Sequence, residues 1–139
     1  PGDVNEKFAP YFKPLYEVLL ERLGGGFLEY CLRPQVEKVQ IAPFAFLRGN
    51  TFKNAVVILD EAQNTTVNQM KLFITRMGMG TTLIINGDVT QCDLPKGVKS
   101  GLADLLERIQ ENEIIDVTHF TDKDCVRSEI CQYALSIYQ

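Results

Sequence analysis

One stretch limits what this chain can become more than any other: the run from Ala55 to Asn64, Ala55-Val56-Val57-Ile58-Leu59-Asp60-Glu61-Ala62-Gln63-Asn64. A five-residue apolar run rich in β-branched side chains stops at two adjacent acids, and an alanine and two amides then lead into a helix start. β-Branched residues lose freedom in a helical turn and pack well on a pleated surface, so the run predicts a strand over 55–59. Nothing in it alternates with polar residues, so it reads as a strand buried on both faces, as in a parallel sheet. Open α/β sheets place their ligand chemistry at the carboxyl ends of such strands, where Asp60 and Glu61 stand.

The rest of the chain fits that sheet. Asp3 with Glu6 resembles a capping box, predicting a helical turn to about Phe8 that Ala9-Pro10 interrupts. A helix is predicted over 11–23, stopped by Gly24-Gly25-Gly26, with a short helix and then a loop over 27–37. Val39 to Ala42 reads as a strand ended by Pro43. Thr66 with Gln69 opens a helix to about Met77, whose apolar face is Met70, Phe73, Ile74 and Met77. Thr82 to Asn86 is another buried strand, ending in Gly87-Asp88-Val89-Thr90-Gln91. Ser100 caps a helix to about Ile109 with Leu102, Leu105, Leu106 and Ile109 inward. Ile114 to Phe120 is a fourth strand, and Thr121 with Asp124 opens a closing helical region. Strands alternating with helices at this spacing predict an α/β fold, a parallel sheet with crossover helices.

Composition excludes several classes. The 139 residues suffice for one domain, and 45% hydrophobic with 23% charged residues is ordinary for a globular chain. A net charge of −4 gives no global signal for nucleic acid, although a local basic patch would escape that count. No apolar run approaches a membrane span, and no signal peptide opens the chain. Cys31, Cys92, Cys125 and Cys131 are scattered and His119 is alone, so neither a zinc site nor a disulfide framework is indicated. That pattern fits a reducing cytoplasmic setting.

A fully apolar run closed by Asp-Glu-Ala-Gln has the form of a Walker B strand. An acid after a strand often does no more than cap the next helix. Two acids followed by Ala-Gln carry more information. Mg²⁺ takes hard oxygen ligands and keeps several waters, so the one carboxylate of Asp60 suffices for it. A neighbouring carboxylate, Glu61, can orient an attacking water towards a γ-phosphate. Gly87-Asp88-x-x-Gln91 alone would be a tight turn. On the adjacent strand of one sheet it falls beside the acids, where the neutral amide of Gln91 can hydrogen-bond a γ-phosphate or water. Arg48 and Arg127 are candidate phosphate or partner contacts, whereas Arg76 suits the end of its helix as a solvated cation. No phosphate cradle G-x-x-x-x-G-K-[ST] is found. Gly97-Val98-Lys99-Ser100 has a residue too many between glycine and lysine, and no strand runs into it.

These motifs together resemble the PhoH family of P-loop ATPases. The resemblance runs from Pro1-Gly2-Asp3 and Tyr11-Phe12-Lys13-Pro14-Leu15-Tyr16 through Ile41-Ala42-Pro43 and Arg48-Gly49-Asn50-Thr51. It continues through Val57 to Thr66, Gly87-Asp88-Val89-Thr90-Gln91-x-Asp93-Leu94-Pro95 and Lys99-Ser100-Gly101-Leu102, to Asp124-x-Val126-Arg127. One departure is Asn50, where the family usually carries arginine. The resemblance implies a partial RecA-like P-loop NTPase fold whose Walker A strand, loop and helix lie upstream of Pro1. Residues 1–139 are then the C-terminal part of a single ATPase domain, inactive alone and unable to fold to normal stability, whose intact parent hydrolyses ATP with Mg²⁺. It implies Asp60 as the magnesium-linked acid, Glu61 as the catalytic acid, Gln91 as the γ-phosphate sensor and Arg127 as an arginine contact. Gln63 and Asp88 join Asp60 as cofactor-binding positions. Coupling to RNA or another nucleic acid and a homo-oligomeric state are also implied, with no membrane association. The rival reading is a non-enzymatic nucleic-acid or protein-binding module that keeps a degenerate ATPase shell, and a further alternative is an accessory chain whose P-loop comes from a partner polypeptide.

Overall fold

The computed structural model describes residues 4–41, 44, 49, 51–110, 112–121, 124 and 126–137, with side chains for all of these except 4–12, 135 and 136. Helix α1 runs unbroken from Val4 to Leu23. The break expected at Ala9-Pro10 is absent: the fixed φ of proline is compatible with a helix even though its ring removes one i→i−4 bond and crowds the preceding turn. Gly24 supplies the break instead, at φ 76°, a left-handed value that glycine adopts freely. Gly25 and Gly26, expected to be part of the stop, lie inside helix α2 (Gly25–Leu32), which buries Leu28 and Cys31.

The strand expected over 39–42 does not form over 39–41, and Ala42, Arg48 and Asn50 lie outside the described residues. The amides of Lys38 and Val39 both donate to the Cys31 carbonyl, at 3.0 and 3.2 Å, so this segment folds back on the end of α2. Among the described residues one ladder remains. Strand β1 (Val56–Leu59) pairs in parallel with β2 (Thr82–Ile85), from Val56 opposite Thr82 to Leu59 opposite Ile85. The pairing confirms the parallel α/β reading. It also corrects the burial: alternate residues Val56 and Ile58 are 66% and 58% exposed, so β1 is covered on one face rather than two.

Helix α3 (Val67–Ile74) starts where its capping box predicts. The Gln69 amide donates to Thr66 Oγ1 at 3.3 Å, and the Thr66 amide to Gln69 Oε1 at 2.7 Å. It ends before Met77, because Phe52 draws the following backbone into a bridge. The Phe52 amide donates to the Arg76 carbonyl at 2.9 Å, and the Gly78 amide to the Phe52 carbonyl at 2.7 Å. Helix α4 (Gly101–Arg108) is capped by Ser100 as predicted. Gly101 meets the start of α3 closely: a Cβ there would lie 2.7 Å from Thr65 Oγ1 and 2.8 Å from Met70 Cβ. The core forms where these elements meet, around Ala62, Met70 and Leu102, flanked by Leu59, Ile74, Ile85 and Leu105.

The strand expected over 114–120 is also absent. Asn112 and Ile115 exchange a pair of backbone hydrogen bonds at 3.2 Å, leaving Ile114 and Phe120 91% and 82% exposed. An extended run becomes a strand only where a neighbour offers ladder bonds, and no described segment offers them there. Thr121 and Asp124 bond each other as a turn, but the last helix, α5, begins only at Glu129 and runs to Ile137. Among the described residues no helix is long and apolar enough to cross a membrane.

The inward face of α4 differs from expectation at two places: Leu106 is exposed and Asp104 is buried. Arg108 clamps that carboxylate through Nε at 2.7 Å, and Lys99 Nζ reaches it at 2.9 Å. These hydrogen bonds, Arg108 first, lower the Asp104 pKa from 3.8 to about 2. A lowered folded-state pKa means the contribution is complete above the unfolded value and is lost as pH falls through the folded one. The stability difference between the protein and its Asp104→Asn variant, measured by urea unfolding, is therefore expected to hold near neutrality and shrink between about pH 4 and about pH 2.

Candidate functional site

The two strand ends are locked together at one residue. The Asn86 amide donates to the Leu59 carbonyl at 2.8 Å, and the Asn86 carbonyl accepts from the Ala62 amide at 2.9 Å. A regular parallel ladder would take that second donor from Glu61. Taking it from Ala62 leaves one extra residue between the bonds, so Asp60 and Glu61 form a bulge at the carboxyl end of β1. Glu61 sits at φ 53° and ψ 38°, left-handed backbone that costs a non-glycine residue roughly 1–2 kcal/mol. Both acids are exposed, whereas Ala62 and Gln63, which open the following 3₁₀ turn, are buried.

The end of β2 is organised by Asp88. Its Oδ1 accepts from the Thr90 amide at 2.8 Å and the Thr90 hydroxyl at 2.7 Å, and its Oδ2 accepts from Gln91 Nε2 at 2.7 Å. These donors, the Thr90 hydroxyl first, hold the carboxyl below the usual aspartate range. Sequence reasoning missed Thr90, although Asp-x-Thr spacing is a turn signature in its own right.

Gln63 joins the two ends. Its side chain is 2% exposed. Nε2 donates to Glu61 Oε2 at 2.6 Å and lies 3.4 Å from the Gln91 carbonyl, while Oε1 accepts from the Asp88 amide at 3.1 Å. Two further contacts strap the same segments: Cys92 Sγ to the Gln63 carbonyl at 3.4 Å, and the Asp93 amide to Asn64 Oδ1 at 2.8 Å. Asn64 was not singled out from sequence, where its amide looks like any other beside a helix start.

The structure thus gathers Asp60, Glu61, Gln63, Asp88 and Gln91 at one edge of the sheet. It does not bring Arg127 to them. Among the described residues no hydrogen bond or ion pair links the Arg127 side chain to the acids; its carbonyl accepts from Gln132 Nε2 at 3.1 Å. Arg76 follows the end of α3, and among the described residues its Nε is buried without a partner, so it is not the solvated cation expected there. Lys99 is held by Asp104 and Glu107, away from any cradle role. Among the described residues no group of three or more histidine, cysteine or acidic side chains could cage a metal. The donor set suits a hard cation that brings its own waters and phosphate oxygens and needs one exposed carboxylate, which Asp60 supplies.

The PhoH-like protein family description matches residues 1–139. Over 138 residues, 99% of this chain, the sequence is 62% identical to Protein PhoH of Escherichia coli, covering 39% of that protein. It is 46% identical to a PhoH-like protein of Bacillus subtilis, covering 43% of it. A PhoH-like protein of Mycobacterium tuberculosis is 38% identical, with 39% of its length covered. The chain therefore spans about two fifths of the length of these curated relatives.

Gly87 is where the site tolerates least change. A Cβ there would lie 2.6 Å from Gln63 Oε1 and 2.7 Å from Leu102 Cδ2. Gly87→Ala is expected to destabilise by about 1–3 kcal/mol in chemical unfolding. Gly26→Ala, in α2 with nothing within 4 Å, is expected to be neutral or to stabilise by up to about 1 kcal/mol.

Proposed function

The chain belongs to the PhoH family, and from that membership we propose that it is the magnesium- and water-handling part of an ATP hydrolase. The observation that carries this reading is the bulge at Asp60-Glu61, joined through one backbone residue to the turn that holds Gln91. Bulges re-aim side chains at sites of chemistry, and a left-handed glutamate is an expensive backbone to keep for capping alone.

In this proposal the Asp60 carboxylate would hold Mg²⁺, which would supply charge neutralisation at the phosphate oxygens of ATP. Glu61 orients the attacking water and takes its proton. One carboxylate oxygen is held by Gln63, which leaves the other for the water. Gln91 keeps a second N–H on Nε2 beyond the one given to Asp88, and that N–H suits a γ-phosphate oxygen. Asp88 acts by holding Gln91. Arg127 enters as an arginine contact only through rearrangement or from another copy of the chain. The phosphate cradle belongs to a Walker A segment in the part of the protein outside these residues, in line with the two-fifths coverage of the relatives. Coupling of hydrolysis to RNA or another nucleic acid, and assembly as a homo-oligomer, rest on the family resemblance.

The test is Glu61→Gln in the protein expressed from its whole gene. Hydrolysis is expected to fall by about 10²- to 10⁴-fold while binding of a fluorescent ATP analogue persists. Unchanged turnover would remove Glu61 from the mechanism and return the binding-module reading.

A further inference from the structure

We infer that Gln63 is a positioning residue that sets the Glu61 carboxylate against the Gln91 turn, making the acid and the sensor turn one mechanical unit. This assignment rests on the ATPase reading, and it replaces the direct cofactor contact that the sequence suggests for Gln63.

Three features support it. The carboxamide is buried and can be assigned in one orientation only. The Asp88 amide is a donor and must meet Oε1, and the Glu61 carboxylate is an acceptor and must meet Nε2. A flipped amide would set donor against donor and acceptor against acceptor. Next, both N–H groups of Nε2 have a partner, Glu61 Oε2 at 2.6 Å and the Gln91 carbonyl at 3.4 Å. No third donor is left for a nucleotide. Finally, Gln63 is buried, and the Gly87 backbone lies so near its carboxamide that even a Cβ there would come within 2.6 Å of Oε1.

Glu61 needs such a link more than an ordinary strand-end acid does. Its side chain is exposed and not held by packing, and the bond to Gln63 fixes one carboxylate oxygen. A shift of the Gln91 turn on meeting a γ-phosphate moves the Asp88 amide and the Gln91 carbonyl. Gln63 transmits that shift to the acid. Misplacing a reacting group by about 1 Å costs on the order of 10²-fold in rate, which bounds what the link contributes.

The experiment is a double-mutant cycle of Glu61→Gln and Gln63→Ala in the protein expressed from its whole gene. It reads single-turnover ATP hydrolysis and, separately, the Kd of a fluorescent ATP analogue. Gln63→Ala is expected to slow hydrolysis by about tenfold to a hundredfold with Kd nearly unchanged, and to cause no further loss in the Glu61→Gln background. A merely structural glutamine would lower both backgrounds by the same factor or weaken binding along with rate. Either result, or a rate unchanged by Gln63→Ala, overturns the assignment. Should Gln63→Ala fail to fold, Gln63→Glu carries the same cycle, since it keeps the acceptor for the Asp88 amide and loses the donor to Glu61. An unmutated protein without ATPase activity, or one indifferent to Glu61→Gln, would instead overturn the ATPase reading and this assignment with it.

Discussion

The two hydrogen bonds of the Asn86 backbone are the constraint on which the rest of the molecule turns. They fasten the end of β2 to Leu59 before the acids and to Ala62 after them. Asp60 and Glu61 must then occupy a span that a regular ladder would give to one residue. The chain leaves the sheet at Glu61, and Ala62 drops into the core beside Met70 and Leu102. Helices α3 and α4 follow from that placement, since α4 packs against the turn that Ala62 begins and α3 packs against α4.

The result is a one-sided molecule among its described residues. A two-stranded sheet is barely stable in water without a helical cover, and α3 and α4 provide it on the Leu59 and Ile85 side. The other face presents Val56, Ile58 and Ile84 to solvent. The polar cluster at the strand ends is tied mostly by side-chain bonds to backbone groups. Such bonds hold a turn to the backbone opposite it, so Asp88, Gln63 and Asn64 keep the two strand ends in fixed relation without a large core beneath them.

What the sequence disclosed follows the range of each interaction. The caps at Thr66 and Ser100 are bonds across three residues, and both were legible. The parallel strands at Val56 and Thr82 were legible because each is an unbroken apolar run rich in β-branched residues and has the other as partner. Residues 39–41 and 114–120 have strand-like composition but no described neighbour to pair with, and composition alone does not reveal a partner. Pro10 does not end α1, because turns on both sides of it keep the helix in place, and a proline's position alone does not reveal that. Leu106 and Asp104 exchanged roles on α4 because Arg108 and Lys99 neutralise the acid, which apolar periodicity ignores. At the site, Asp60, Glu61, Asp88 and Gln91 were legible as a chemical pattern. The bulge was not, since it depends on which amide meets Asn86.

That bulge also acts as a phase shift in the pleat. Along β1 the odd-numbered residues point to the covered side, so an uninterrupted strand would turn residue 61 towards Ile85 and Leu102. A glutamate there would be an unpaired charge against the core cluster. The extra residue moves the inward frame on by one, to Ala62, and leaves the acid at the mouth. The two acids between the last aliphatic residue and the alanine are therefore one more than a regular ladder holds. Deletion of either acid, unlike its replacement, would return the strand end to a regular ladder with the alanine still inward and a single acid left at the mouth.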